Sequence, residues 1–355
     1  MWKQGPGFLK GLSMKPNRIS LKDVARSAGV SIATASVVIN GKIGQGVRVS
    51  RETQDRIWAE AKKLGYVGNP AARSLAGGSN NIAGIFSYES IFPPEQYDFY
   101  YPFLSGIEQE AEVQGYDLLL ITHRGYSKEQ RQQRINRLQM ADGAILLGLE
   151  KDEKEVASLI QSGYKIVTIG KREFPNADAS YISFDYSEAT KKLTRHAIEM
   201  GHRNLCYIRL KEDTIPTLER EIGFRLATAK YKDLNCQIVF SEEKSIDPGL
   251  VRKQVKSGVT CFIVERFLTA DVVLKELHKM RLSVPGDISL AVLGGPGQSV
   301  VSPLDWATIE VPGIEAGKAA LRILVELLKS NSQIPARQML PCTIHTGNTI
   351  SNINK

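Results

Sequence analysis

Five histidines (His123, His196, His202, His278 and His345) and four cysteines (Cys206, Cys236, Cys261 and Cys342) are the side chains from which a metal centre or an activated nucleophile would be built. Their spacing builds neither. There is no C-x-x-C or H-E-x-x-H pair and no G-x-S-x-G elbow. GGPGQSV at 294–300 follows a strand-like run without completing G-x-G-x-x-G, and G-x-x-x-x-G-K-[ST] is absent. The sequence predicts no catalytic residue, no metal site and no cofactor, and the cysteines read as small buried hydrophobes. The chemistry it does favour is electrostatic. Residues 1–80 hold 13 Lys and Arg against 4 Asp and Glu, whereas the remainder holds 33 against 34, so the whole net charge of +8 is accounted for by the first segment. A small cationic segment on a near-neutral body is the footprint of a phosphate-binding module, the other reading being a solvated basic surface.

The elements that must position those charges are legible in RISLKDVARSAGVSIATASVVINGK. Ser20 followed by Asp23 starts a helix, with Leu21, Val24, Ala25 and Ala28 at helical spacing. Gly29 permits the left-handed backbone that ends it, and Ser31 with Thr34 caps a second helix running to about Asn40. Two helices joined by so few residues form a helix-turn-helix, whose second helix presents its N-terminal side chains to base edges in the major groove. A third helix runs from the cap Ser50 to Gly65, with Ile57, Trp58, Ala61 and Leu64 as its apolar stripe. Further on, Asn69-Pro70-Ala71-Ala72-Arg73-Ser74-Leu75-Ala76 is too short to be a stable isolated helix, so it orders only against a partner.

From residue 81, apolar runs alternate with amphipathic segments. NIAGIFSY, DLLLIT, GAILLG and KIVTIG alternate with helices near 102–115, 128–139 and 152–162. A second series has NLCYIRL, QIVF, TCFIVE and ISLAVLG, with helices near 187–200, 218–231, 248–257 and 268–281. TIEVP at 308–312, a helix near 313–329 and MLPCTIHTGNTI complete the body. Repeated βαβ units predict two parallel sheets with a cleft beyond the carboxyl ends of their strands. With 355 residues, 42% of them hydrophobic, two or three domains with a substantial core are expected. No run approaches the ~18 apolar residues of a membrane span. The N-terminal stretch lacks the apolar segment of a secretory leader, so a cytoplasmic chain is expected.

Taken together, LKDVARSAGVS, TASVVINGK, VSRETQDRI, LGYVGNPAARSLAGG and GHRNLCYI resemble the lactose-repressor-type (LacI/GalR) family of bacterial transcription regulators, and the resemblance spans about residues 18–350. It implies an α/β protein with a three-helix headpiece at 18–67, a hinge helix and linker at 68–79, and a periplasmic-binding-protein-like core at 80–355 made of two doubly wound parallel-sheet subdomains. Residues 1–17 would be an extension. Ile32, Ala33 and Val37 fall at base-facing positions, Thr34 and Ser36 at phosphate-contacting ones, and Ser31, Asn40 and Asn69 join the expected DNA-binding set. Val37 departs from the family's usual Arg; Ile32 and Val37 either meet thymine methyls or pack inside the headpiece. Leu75 falls at a minor-groove wedge and Ala72 where two hinge helices touch. Lys42 and Arg48, in a loop slightly long for the family, either contact phosphate or are simply solvated.

In the core the resemblance implies an effector site containing Phe99, Tyr100, Arg220 and Ile246. Arg220 is either a cleft donor or the partner of Glu219 or Glu221 in a helix-surface ion pair. Two departures stand where relatives often carry ligand carboxylates: Glu265-Arg266 replaces Asn-Asp, and Leu293-Gly294-Gly295 replaces Phe-Asp-Asp. Glu265 either substitutes as an acceptor or neutralises Arg266. The expected partners are a double-stranded DNA operator, a small-molecule effector of sugar or sugar-derived type, and a second copy of the chain in a homodimer. An exported solute-binding protein or an α/β enzyme with the same core is the competing class, disfavoured by the basic headpiece and the missing leader and catalytic motifs.

Overall fold

The computed structural model describes residues 19–40, 43, 48–67, 79–88, 97–122, 136–148, 153–242, 246–294, 302–330 and 334–354. The chain divides into two compact units after Asn80. In the first, the Asp23 carboxylate accepts from the backbone N–H and the hydroxyl of Ser20 at 3.0 and 2.6 Å and opens α1 (Leu21–Ser27). These bonds, the hydroxyl's first, hold Asp23 below the ordinary carboxylate range. Gly29 turns the chain at φ +63°, a conformation side chains rarely adopt. Ser31 Oγ then accepts from Thr34 N–H at 3.0 Å and starts α2 (Ile32–Ile39), and Ser50 likewise starts α3 (Arg51–Leu64). Val24, Ala25, Ala28, Ala35, Val38, Ile57 and Ala61 are the shared core. Trp58 is not part of it: at 52% exposure it lies outside the stripe set by Ile57, Ala61 and Leu64. One residue along a helix rotates a side chain by about 100°, enough to take the indole off the buried face.

The second unit is α/β. Its first sheet contains β1 (Ile82–Ser87), β2 (Asp117–Ile121), β3 (Gly143–Leu147), β4 (Lys165–Ile169), β5 (Ser180–Phe184) and β11 (Arg337–Leu340), in the order β11-β5-β4-β3-β1-β2 with every pair parallel. Its second contains β6 (Asn204–Leu210), β7 (Asn235–Ser241), β8 (Cys261–Val264), β9 (Ser289–Val292), β10 (Ala307–Glu310) and β12 (Thr343–His345), in the order β12-β10-β9-β8-β6-β7. All pairs there are parallel except β10 with β12. The connecting helices are α4 (Tyr97–Gln114), α5 (Glu153–Gln161), α6 (Tyr186–Glu199), α7 (Ile215–Thr228), α8 (Pro248–Lys256), α9 (Phe267–Lys279) and α10 (Gly313–Ser330).

The chain passes between the two sheets three times: through α6, through α10, and between β11 and β12. The third passage explains the antiparallel strand, because β12 is reached directly from the first sheet without a crossover helix. The sequence pattern does not anticipate β5 and β11 as strands. α4 begins at Tyr97, with Pro102 inside it, instead of near residue 102, and α7 begins at Ile215, where Thr214 caps it and a proline occupies its first turn. Of the helix expected near 128–139, the described part is a 3₁₀ turn at Asn136–Met140.

α4 and α10 pack backbone to backbone. A Cβ at Gly106 would lie 2.0 Å from the Ile314 carbonyl oxygen, and one at Gly317 2.2 Å from that of Phe103. This contact anchors α10, which arrives from the second sheet, against the first.

Candidate nucleic-acid interface and ligand cleft

Ala35 and Val38 point α2 into the headpiece core and thereby turn Ile32, Ala33, Ser36 and Val37 outward. Ile32 is 49% exposed and Ala33 is exposed, while Ser36 and Val37 are half-buried at the edge; neither Ile32 nor Val37 belongs to the core cluster. Thr34 Oγ1 shares a 2.8 Å hydrogen bond with Ser31 Oγ, and Asn40 Nδ2 donates to Ser36 Oγ at 3.0 Å. The outer face is thus apolar at its tip and flanked by hydroxyls and an amide. Lys22, Arg26, Arg48, Arg51 and Arg56 are exposed on the same unit. The apolar side chains at the tip of the outer face can meet methyl groups but make no bidentate base contact. Asn69, Ala72 and Leu75 lie outside the described residues, as does Lys42.

In the core, a cavity opens at the carboxyl ends of β3, β4 and β5, as the strand-end rule for parallel sheets requires. Leu147, Gly148, Ile169, Gly170, Lys171, Ser183 and Phe184 line it from the first subdomain together with Phe99, Tyr100 and Phe103 of α4. Tyr186 and, from α7, Ile215, Pro216 and Glu219 close the other side. Aromatic rings run across it: Phe99 meets Phe103 at 5.9 Å between centroids, Phe103 meets Phe184 at 6.1 Å, and Phe184 meets Tyr186 at 5.7 Å. The Arg220 guanidinium then stacks on Tyr186 at 4.7 Å. Burial pushes the Tyr186 phenol up to about 12, against the opposing pull of Arg220. Burial also raises Glu219 above the ordinary carboxylate range, opposed by Lys171.

The structure therefore brings Phe99, Tyr100 and Arg220 onto one aromatic row, the first two as lining and the third behind Tyr186. It does not bring the other two expected residues to the cavity. Ile246 is 7% exposed and packs in the cluster of Cys206, Ile208 and Val251, where its side chain is ordinary core. Glu265 is 1% exposed; its Oε1 accepts from the Tyr207 hydroxyl at 2.5 Å and its Oε2 from the Leu210 N–H at 2.9 Å. Both oxygens are engaged inside the second subdomain. Glu221 is not the partner of Arg220, since it bridges Arg225 at 2.7 Å and the buried Arg209 at 2.6 Å, whereas the charge of Arg220 does act on Glu219 and opposes the rise that burial imposes on it.

Sequence reasoning missed Lys171, Glu219 and Tyr186 in the cleft, and the buried Arg209 that bridges Glu221. The strand-end rule marks Lys171, two residues beyond β4, and an arginine inside the apolar run NLCYIRL marks Arg209. Among the described residues no group of three or more metal-ligating side chains forms a metal site, and no helix is long and apolar enough to cross a membrane.

Comparison with known proteins assigns both units. Residues 20–69 match the profile of bacterial regulatory proteins of the lacI family. Residues 90–240 match that of periplasmic binding proteins and the sugar-binding domain of the LacI family, and residues 194–350 a periplasmic binding protein-like domain. The transcriptional regulator MalR of Staphylococcus xylosus is 23% identical over 329 residues, covering 92% of this chain and 96% of that protein. Among solved structures, a Lac repressor dimer bound to operator and the anti-inducer ONPF aligns with a TM-score of 0.72 at 18% identity, over 94% of this chain and 100% of the other. A CelR–cellobiose complex aligns with a TM-score of 0.66 at 22% identity, again over 94% and 100%.

Proposed function

Because the chain belongs to the LacI family and is a ligand-responsive, DNA-binding transcriptional regulator, we propose that it acts as a cytoplasmic repressor, without enzymatic activity, binding a near-palindromic operator as a homodimer. The observation that carries this is the outward face of α2, with Ile32, Ala33, Ser36 and Val37 opposite a core of Ala35 and Val38, on the unit that holds the chain's excess positive charge. In this reading Ile32, Ala33 and Val37 meet base edges. Ser31, Thr34, Ser36, Asn40 and Arg48 hold the backbone, and Asn69, Ala72 and Leu75 complete the contact through the hinge. The effector, a sugar or sugar derivative as in the cellobiose complex of CelR, occupies the cleft beside Phe99, Tyr100 and Arg220 and shifts one subdomain against the other. A coupling of about 1–3 kcal/mol changes operator affinity roughly 5–150-fold, and operator must change effector affinity by the same factor.

Val37→Arg tests the residue assignment. An arginine there supplies the fork that recognises guanine, so a base-by-base binding profile acquires a guanine preference at one position of each half-site, worth about 1–3 kcal/mol. An unchanged profile would remove Val37 from the groove.

A further inference from the structure

α7 buries one side and carries an apolar row on the other. Thr217, Gly223, Phe224 and Ala227 are its buried residues, and a Cβ at Gly223 would lie 2.3 Å from the Ser187 carbonyl oxygen, so the helix rests backbone-close on α6 and its outward face is fixed. On that face Leu218, Ile222 and Leu226 stand one turn apart, between 42% and 52% exposed, and the exposed Ala229 follows them. Single exposed aliphatic residues are ordinary, but three in one row put an apolar stripe where a surface helix carries its polar side. The row is separate from the cleft, whose α7 residues are Ile215, Pro216 and Glu219. It is also held rigidly. Glu221 beside it is tied to Arg225 and Arg209, and the Arg209 guanidinium lies 5.4 Å from the exposed ring of Phe240 on the edge strand β7.

The charges at the two ends of the row decide what fits on it. Glu212 lies ten residues before Ile222 and Lys232 ten after it, with Lys230 nearby, and all three are exposed. The opposite charges at each end are already engaged: Lys211 pairs with Glu242, and Asp233 with Arg203. A second copy related by a two-fold axis through Ile222 and across the helix runs antiparallel. Leu218 of each chain then meets Leu226 of the other, Glu212 approaches Lys232, and the positive end of each helix dipole faces the negative end of the other. A parallel pairing would set like charge against like at both ends. We propose that this face of α7 binds a second copy of the chain, joining two operator-binding dimers into an assembly of four chains. The proposal takes the operator dimer from the reading above and adds an interface to it. A single helix crossing covers less than the roughly 1,000 Å² that a stable interface needs, so the contact is too small to hold the operator dimer itself and the larger assembly is weak.

Sedimentation velocity of the full-length protein from about 1 to 100 µM should show a species of two chains growing to four. Ile222→Lys should stay at two chains throughout and melt with the wild type, because the side chain is half exposed. Glu212→Lys and Lys232→Glu should each weaken the step several-fold by setting like charges together, and the two changes in one chain should restore it. A wild type that stays at two chains, growth undisturbed by Ile222→Lys, or charge changes no better together than apart would overturn the proposal. So would Ile222→Lys falling to single chains, since the face would then be the operator dimer's own interface.

Operator binding is measured alongside, and Ile222→Lys should bind a single operator as tightly as the wild type; a loss there would count against a face apart from the operator dimer. A protein that binds its operator and never exceeds two chains refutes only this inference, whereas one that assembles into four chains but binds no duplex refutes only the regulator's proposed mode of action.

Discussion

Ile32→Asp is expected to weaken operator binding about 100-fold, a loss of roughly 2.7 kcal/mol, while the headpiece melts where the wild type does. Ile32 is the first residue of α2 and is half exposed, so a carboxylate there creates no cavity and faces the positive end of the helix dipole, which favours it. Against a duplex the same carboxylate meets phosphates at short range and replaces an apolar group that would contact a thymine methyl. Fluorescence anisotropy gives the affinity and circular dichroism the melting curve. If the substitution left affinity unchanged, α2 would not be the element in the groove; if it melted the headpiece, the loss of binding would say nothing about contact.

Glu265→Ala separates a structural glutamate from a ligand-contacting one. Truncation leaves the Tyr207 hydroxyl and the Leu210 N–H buried without their acceptor, at about 1–3 kcal/mol each. Burial, reinforced by Glu265, drives the Tyr207 phenol far above its ordinary range, so it cannot escape its loss by ionising. A total of about 3 kcal/mol lowers the melting temperature of a unit this size by roughly 5 °C. A residue whose work is to hold effector would do the reverse, losing ligand affinity with its melting temperature intact. Glu265→Gln should restore part of the stability, since the amide oxygen still accepts one of the two bonds. Differential scanning calorimetry of both variants, paired with effector titration, distinguishes the cases.

What the sequence made legible follows from how local each cause is. The headpiece helices depend on Ser20 with Asp23, Gly29, Ser31 and Ser50, each acting within a few residues of itself, and they begin and end where those residues stand. Trp58 was harder: a large apolar ring beside Ile57 invites a place in the stripe that helix phase denies it. β11 is mostly exposed and has no alternation to betray it, and its partner β5 lies about 155 residues earlier. In the cleft, Phe99 and Tyr100 follow from their motif because α4 presents them together. The fate of Glu265 depends on partners 58 and 55 residues away, and that of Ile246 on a core assembled from β6, β8, β9, α8 and α9. Lone polar residues at strand ends reveal their partners only once the sheet order is known.

The most direct measurement of the whole scheme is selection from a random duplex pool by the full-length protein at two ionic strengths. A dimer that places two copies of α2 in successive major grooves predicts enrichment of a near-palindrome with half-sites about one DNA turn, ~10 bp, apart. The affinity for that sequence should fall steeply as salt rises, because phosphate contacts release counterions. Enrichment of no sequence, or of a site without two-fold symmetry, would contradict it.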